Sequence, residues 1–157
     1  TCRIGGLEQN SPTRVILDKK LKIPISSNIV KSAKKCPTIV FFYKSNAKRI
    51  STLKNLKIKL IKSSIDKNGN FDLKNILMKV KSLGFSRVFL ESGLNLTTSF
   101  LNKDLVDDFQ LFISGNKLGK NGNNSFKKNM KLFFKNRKFT NEKVNLFGDK
   151  LISYRIK

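Results

Sequence analysis

Apolar and polar positions along this chain change period several times, and each change marks an element. Arg14-Val15-Ile16-Leu17-Asp18 is a short apolar run ending in an acid, which predicts a buried strand. Lys19 to Ser27, with Pro24 inside it, predicts a loop. Thr38 to Tyr43 is β-branched and aromatic and predicts a second buried strand, with Pro37 suited to its start. Ile58 to Ile61 alternates apolar with basic residues, the pattern of a half-exposed strand. Asn10-Ser11-Pro12 and Asn68-Gly69-Asn70 are turn signals. The clearest helix follows. Leu73, Ile76, Leu77, Val80 and Leu83 lie on one face of a 3.6-residue period, with Asp72 to cap the start and Gly84 to end it.

The second half continues the mixture. Ser86 to Glu91 predicts a strand that finishes on a carboxylate, and Ser92-Gly93 a turn. Leu96, Phe100 and Leu101 predict a helix from about Asn95 to Lys103. Asp108 to Ser114 alternates Phe109, Leu111 and Ile113 with polar neighbours, a further strand. Gly115 to Asn124 reads as loop, and Lys131 to Phe139 and Lys150 to Ile156 as two final antiparallel strands. No repeat and no linker divides the chain. The order of elements predicts an α/β domain with a mixed sheet.

Composition narrows the chemistry. The 157 residues suit one domain with a real core. Histidine is absent, which excludes triads, metal sites and general bases that need an imidazole from this chain. Cys2 and Cys36 make neither a disulfide framework nor a metal site, and a reducing cytoplasmic setting is expected. No apolar run is long enough to span a membrane. The 33 Lys plus Arg against 10 Asp plus Glu give a net charge of +23. That charge raises nucleic acid as a partner. Lysine dominates it, however, and is spread along the whole length without a basic block. A lysine-coated surface that favours phosphorylated anions is the better reading.

The segment richest in possible chemistry is Val88 to Leu101, a strand, a glycine turn and a helix start. Ligands of open α/β sheets sit beyond the carboxyl ends of such strands, and a helix start attracts phosphate. Gly93 permits close approach, Asn95, Thr97, Thr98 and Ser99 supply polar partners, and Glu91 suits a sugar hydroxyl or a base edge. A turn that binds nothing would also need its glycine, and Glu91 would also serve as a helix cap. The pairs Phe41-Phe42 and Phe133-Phe134 suit core packing better than base stacking, and Asp107-Asp108 suits the surface. Asn95-Leu96-Thr97 and Asn123-Asn124-Ser125 fit the glycosylation pattern, for which chance suffices in so asparagine-rich a chain.

Several segments together resemble one family. They are Thr1-Cys2-Arg3, then Pro12-Thr13-Arg14-Val15-Ile16-Leu17-Asp18-Lys19-Lys20-Leu21-Lys22-Ile23-Pro24, then Leu90-Glu91-Ser92-Gly93, Leu105-Val106-Asp107-Asp108 and Lys117-Leu118-Gly119. Their order and spacing resemble the C-terminal reductase domain of the bifunctional riboflavin-biosynthesis deaminase/reductase. The resemblance implies a fold similar to dihydrofolate reductase. It also implies NADPH-dependent reduction of the ribosyl side chain of 5-amino-6-(5-phosphoribosylamino)uracil to ribityl. In such chemistry the cofactor supplies the hydride and the protein orients it, so no histidine is needed.

Carried over by position, the resemblance places Arg3 and Glu91 on the substrate, a phosphorylated pyrimidine. It places Gly93, Leu94, Asn95, Leu96, Thr97, Thr98 and Ser99 on NADPH. Lys19 stands at a further cofactor position, where the family usually has a serine. The resemblance also implies that the family's first strand and helix, and a zinc deaminase domain, lie outside this chain. Residues 1–157 would then be a reductase domain without its N-terminal portion, expected to be poorly soluble or inactive alone. A homo-oligomer is expected, with no nucleic-acid or membrane partner. Another reductase of the same fold and a basic nucleic-acid-binding module remain the alternative readings.

Overall fold

A computed structural model describes residues 10–116, 133–143 and 148–157. The chain divides into two compact units, Thr1–Val88 and Phe89–Lys157.

The first unit is built on a three-stranded parallel sheet. Strands β1 (Arg14–Leu17), β2 (Thr38–Phe42) and β3 (Lys59–Lys62) lie in that order, with Val15 opposite Ile39 and Phe41 opposite Ile61. Helix α1 (Asn28–Lys31) lies in the first crossover and α2 (Ala47–Asn55) in the second. No residue of β2 is more than 7% exposed. A central parallel strand covered on both faces should read as an unbroken apolar run, and Thr-Ile-Val-Phe-Phe does. Val40 and Phe42 join Leu21, Val30, Ala33, Leu53 and Ile58 in one apolar cluster. Helix α3 (Leu73–Ser82) buries Leu73, Ile76 and Val80, the stripe its periodicity predicts. Asp72 caps it by accepting from the Asn75 N–H at 3.1 Å, and Gly84 follows its end with φ +92°. Lys79 of α3 reaches the Lys62 carbonyl of β3 at 2.8 Å.

The second unit pairs α4 (Leu94–Asn102) with an antiparallel sheet. Its strands β4 (Asp108–Ile113), β5 (Phe139–Glu142) and β6 (Lys150–Arg155) lie in the order β4-β6-β5. Phe109 and Phe139 both stand opposite Tyr154. The Phe134 ring lies 4.7 Å from Phe109 and 4.6 Å from Tyr154, centroid to centroid. Leu101, Phe134 and Tyr154 form the unit's buried core, with Phe109 packed against it. Phe41, Phe42 and Phe134 are thus core residues, as expected.

Two expectations need correction, and one element is new. Ser86 to Glu91 is not a strand: among the described residues no strand pairs with it, and Phe89 is 78% exposed. A strand needs a ladder partner for its backbone groups, whatever its side-chain pattern. Phe133 and Phe134 are helical, and the strand expected at Lys131 to Phe139 begins only at Phe139. Helix α2 is an element the apolar pattern did not announce. Its Asn46 cap accepts from the Arg49 N–H at 2.8 Å, and Leu53 is fully buried. Arg3, Lys117-Leu118-Gly119 and Asn123-Asn124-Ser125 lie outside the described residues.

Candidate functional site

The carboxyl ends of the parallel strands carry the first group of polar side chains. β1 continues its ladder into Asp18, whose N–H donates to the Phe41 carbonyl at 2.9 Å. The Asp18 carboxylate then turns onto its own loop. It accepts from the Ile23 N–H at 2.7 Å and the Lys20 N–H at 3.3 Å. Leu21 takes φ 53° and places its side chain in the core. Arg49 of α2 closes this loop from the other side, donating to the Leu21 carbonyl at 2.9 Å and to the Ile23 carbonyl.

Lys19 is fixed at both ends. Its carbonyl accepts from the Tyr43 and Lys44 N–H groups, both at 3.0 Å, so its backbone is pinned to the end of β2. Its ammonium donates to the Gly69 carbonyl at 2.8 Å. Gly69 sits in a turn that needs glycine, with φ +73°. Asp66 shapes that turn by accepting from the Asn68 and Asn70 N–H groups at 3.0 and 2.9 Å. Lys19, Lys20 and Lys44 are all exposed along this edge.

The second group lies in the other unit, from Glu91 to Ser99. Gly93 is the N-cap of α4, with φ −71° and ψ 168°. That conformation is open to any residue, and beyond its chain neighbours no protein atom lies within 4 Å of where a Cβ would stand. Neither backbone nor packing therefore demands glycine there. Ser92 and Thr97 share a hydroxyl contact of 3.0 Å over the helix start. Thr98 and Ser99 direct their hydroxyl protons back along the helix, to the Leu94 carbonyl at 2.6 Å and the Asn95 carbonyl at 2.8 Å. Glu91, Ser92 and Gly93 are exposed. No acidic residue occupies the first turn of α4, so the positive end of its dipole is not offset there.

A family model described as the RibD C-terminal domain matches residues 1–152. The chain belongs to the RibD C-terminal domain family. It is 35% identical over 111 residues to the riboflavin biosynthesis protein RibD of Aquifex aeolicus, covering 71% of this chain and 29% of that protein. It is 23% identical over 108 residues to the RibD of Actinobacillus pleuropneumoniae, covering 69% and 28%. The chain thus spans under a third of the length of these relatives. Solved structures share its fold, among them the following two. Acinetobacter baumannii RibD has a TM-score of 0.65 at 20% identity, over 92% of this chain and 37% of that one. A pyrimidine reductase-like protein of Corynebacterium diphtheriae has a TM-score of 0.66 at 16% identity, over 99% and 68%. The fold is that of dihydrofolate reductase, as the family resemblance implies.

Of the residues expected in a RibD-type reductase site, Glu91 and Gly93 through Ser99 form one continuous turn and helix start. Lys19 belongs to the other unit, at the end of its first strand. Sequence reasoning passed over Lys44 and the Asn46 cap, although Lys-Ser-Asn directly after an apolar strand is a legible loop and helix-cap signal. It read Asn68-Gly69-Asn70 as a turn but not as a partner of Lys19. No cluster of metal-binding side chains occurs among the described residues, and none of their helices is long and apolar enough to cross a membrane.

Proposed function

We propose that this chain is an NADPH-dependent reductase acting on 5-amino-6-(5-phosphoribosylamino)uracil and yielding the ribitylamino product. The observation that carries this reading is the family match over residues 1–152, which takes in every residue assigned here. A bound reduced nicotinamide supplies one hydride. In the net change C1′ would gain that hydride as the C1′–O4′ bond opened and the ring oxygen gained a proton. The chain's own task is to bind and orient two anions.

The residues fit a phosphorylated dinucleotide. Open space at Gly93, in a conformation that does not require glycine, suits close approach of a ligand to the backbone. The α4 start, without an acid in its first turn, suits a phosphate. Gly93, Leu94, Asn95, Leu96, Thr97, Thr98 and Ser99 are assigned to the cofactor. Thr98 and Ser99 stand on this helix start, with their hydroxyls bonded back to Leu94 and Asn95. Glu91 and Arg3 are assigned to the substrate. Lys19 is assigned to the cofactor.

The test is turnover by the full natural chain. Mixing it with NADPH and the phosphoribosylaminouracil should consume the reduced nicotinamide and release one equivalent of ribityl product by mass spectrometry. A folded protein that binds NADPH but leaves this substrate untouched while reducing a pterin would transfer the activity to another reductase of the same fold.

A further inference from the structure

Independently of the reductase reading, we infer that a pocket at the amino ends of the parallel strands binds a small apolar anion, an aryl carboxylate by chemical class. The pocket lies wholly within the first unit, at the opposite end of the sheet from Asp18 and Lys19. Its volume is about 260 Å³. Ligand sites usually offer about 300–1,000 Å³, so an occupant here is restricted to roughly one or two rings.

The walls are apolar and the rim is basic. Pro37 and Ile39 come from the start of β2, and Leu83 and Phe85 from the end of α3. Ile39 is buried, and Leu83 and Phe85 are half-buried. Thr38 also lines the pocket, but its hydroxyl is committed elsewhere. It donates to the Cys36 carbonyl at 2.9 Å and accepts from Arg14 Nη2 and Nε at 2.7 and 3.0 Å. The charged side chains of the lining are Lys57 and Lys59, both exposed, and no acid joins them. Rings against the walls with a carboxylate between two ammonium groups match that division.

Lys57 stands where the backbone favours another residue. Helices α2 and α3 end alike, each returning a later amide to its last turn. The Ile58 N–H donates to the Leu53 carbonyl at 3.1 Å, and the Phe85 N–H to the Val80 carbonyl at 3.4 Å. That closure puts one residue in the left-handed region, where glycine is at ease. At α3 it is Gly84, with φ +92°; at α2 it is Lys57, with φ 65°. The fold alone would be served better by glycine there, so the ammonium accounts for the lysine. Lys54 in the last turn of α2 already offsets that helix's dipole, so Lys57 is not needed for it. The negative helix ends do not repel an anion from this edge. Each amounts to about half a charge, and two whole positive charges outweigh it. The last α2 carbonyls, of Thr52, Leu53 and Lys54, are also bonded already, to the amides of Leu56, Ile58 and Lys57.

The experiment titrates the full natural chain with naphthalene-2-carboxylate and with its neutral counterpart, naphthalene-2-carboxamide. The 157 residues contain no tryptophan, so naphthalene fluorescence is read without overlap from them. The carboxylate should bind at least about fivefold more tightly than the carboxamide, and the ratio should fall as salt rises. Lys57→Gly should hold or raise the melting temperature while weakening carboxylate binding about three- to tenfold. Lys59→Gln, which leaves the α2 end untouched, should weaken it to a similar extent. Saturating NADPH should leave the probe in place. Carboxylate affinity retained in both variants would overturn the inference, as would equal affinity for the carboxamide or no binding by the unaltered chain. Displacement by NADPH would overturn it too, because the probe would then sit in the cofactor site. The two variants decide the matter whether or not NADPH binds, so a failure of the reductase reading is seen separately.

Discussion

A side chain placed on Gly93 separates a residue kept for the fold from one kept for a ligand. In the structure Gly93 has φ −71° and ψ 168°, a region open to alanine and to β-branched residues alike. A built Cβ meets no protein atom within 4 Å beyond its chain neighbours. Two small terms remain for the fold. Alanine is a poorer helix N-cap than glycine, by about 0.5–1 kcal/mol. The unfolded chain loses freedom when glycine is replaced, which returns about 0.4–1 kcal/mol. They nearly cancel, so Gly93→Ala and Gly93→Val should unfold within about 2 °C of the unaltered protein.

The ligand sees the same groups differently. A methyl or isopropyl in a packed contact costs about 1–3 kcal/mol. That corresponds to roughly five- to hundredfold weaker NADPH binding, with valine worse than alanine. The assay is NADPH fluorescence titration of the full natural chain, with a melting curve on each sample. Valine at Gly93 binding NADPH within twofold of the unaltered chain would refute the assignment of this turn to the cofactor. A melting temperature that falls in step with affinity would refute the separation of the two roles.

Arg14 should behave in the opposite way. Its guanidinium donates to Thr38 Oγ1 at 2.7 Å, Ser32 Oγ at 2.8 Å and the Cys36 and Ile29 carbonyls at 2.8 and 3.1 Å. Removing a partly buried charge with such bonds costs about 2–3 kcal/mol, so Arg14→Met should lower the melting temperature by about 4–12 °C. Arg14→Lys should recover less than half of that, because an ammonium cannot span the fork; a shift under 2 °C in Arg14→Met would contradict the role. Glu91→Gln should reduce kcat/KM for the pyrimidine about ten- to hundredfold, the worth of a charged hydrogen bond, while NADPH affinity changes less than twofold. Equal losses in both would move Glu91 from the substrate to the cofactor or the fold.

The sequence disclosed those elements whose own pattern suffices to form them. β2 is five apolar or β-branched residues that end up wholly buried, and α3 carries its cap, its stripe and its terminating glycine within thirteen residues, Asp72 to Gly84. α2 was less visible because lysine, arginine, serine, threonine and asparagine fill most of Ala47–Asn55; only Asn46, Ile50 and Leu53 mark it. Ser86 to Glu91 has the composition of a strand, but pairing depends on a neighbour that composition does not reveal. Phe133 and Phe134 belong to a short apolar run, for which helix and strand look alike. The site divides in the same way. The Gly93 turn and α4 follow from local sequence. The return of the Thr98 and Ser99 hydroxyls onto the helix is a choice between two local bonds, and the contact of Lys19 with Gly69 joins residues 50 apart.

The large positive charge is divided by chemical type, and that division bears on function. Arg14 and Arg49 lace the loops around the parallel sheet. Arg137 donates to the Ile156 carbonyl at 3.3 Å and lies 4.2 Å from the centre of the Phe133 ring. Arg155 reaches Asp108 and the Lys157 carbonyl at 3.0 and 2.9 Å. A planar fork with five donors suits such multiple ties, whereas a lysine is a mobile point charge that stays hydrated. The exposed pair of Arg155 with Asp108 adds little stability, but the part-buried forks of Arg14 and Arg49 cannot be removed without stranding carbonyls. Charge held in the fold in this way is not offered to a ligand. Lysines supply most of what remains at the surface, and their attraction for phosphates is screened over about 8–10 Å in ordinary salt. Raising the ionic strength should therefore weaken anion capture at the Lys19 edge well before it loosens the arginine-held loops. Arg14 and Arg49 point into this fold, whereas Arg87 and Arg155 are exposed.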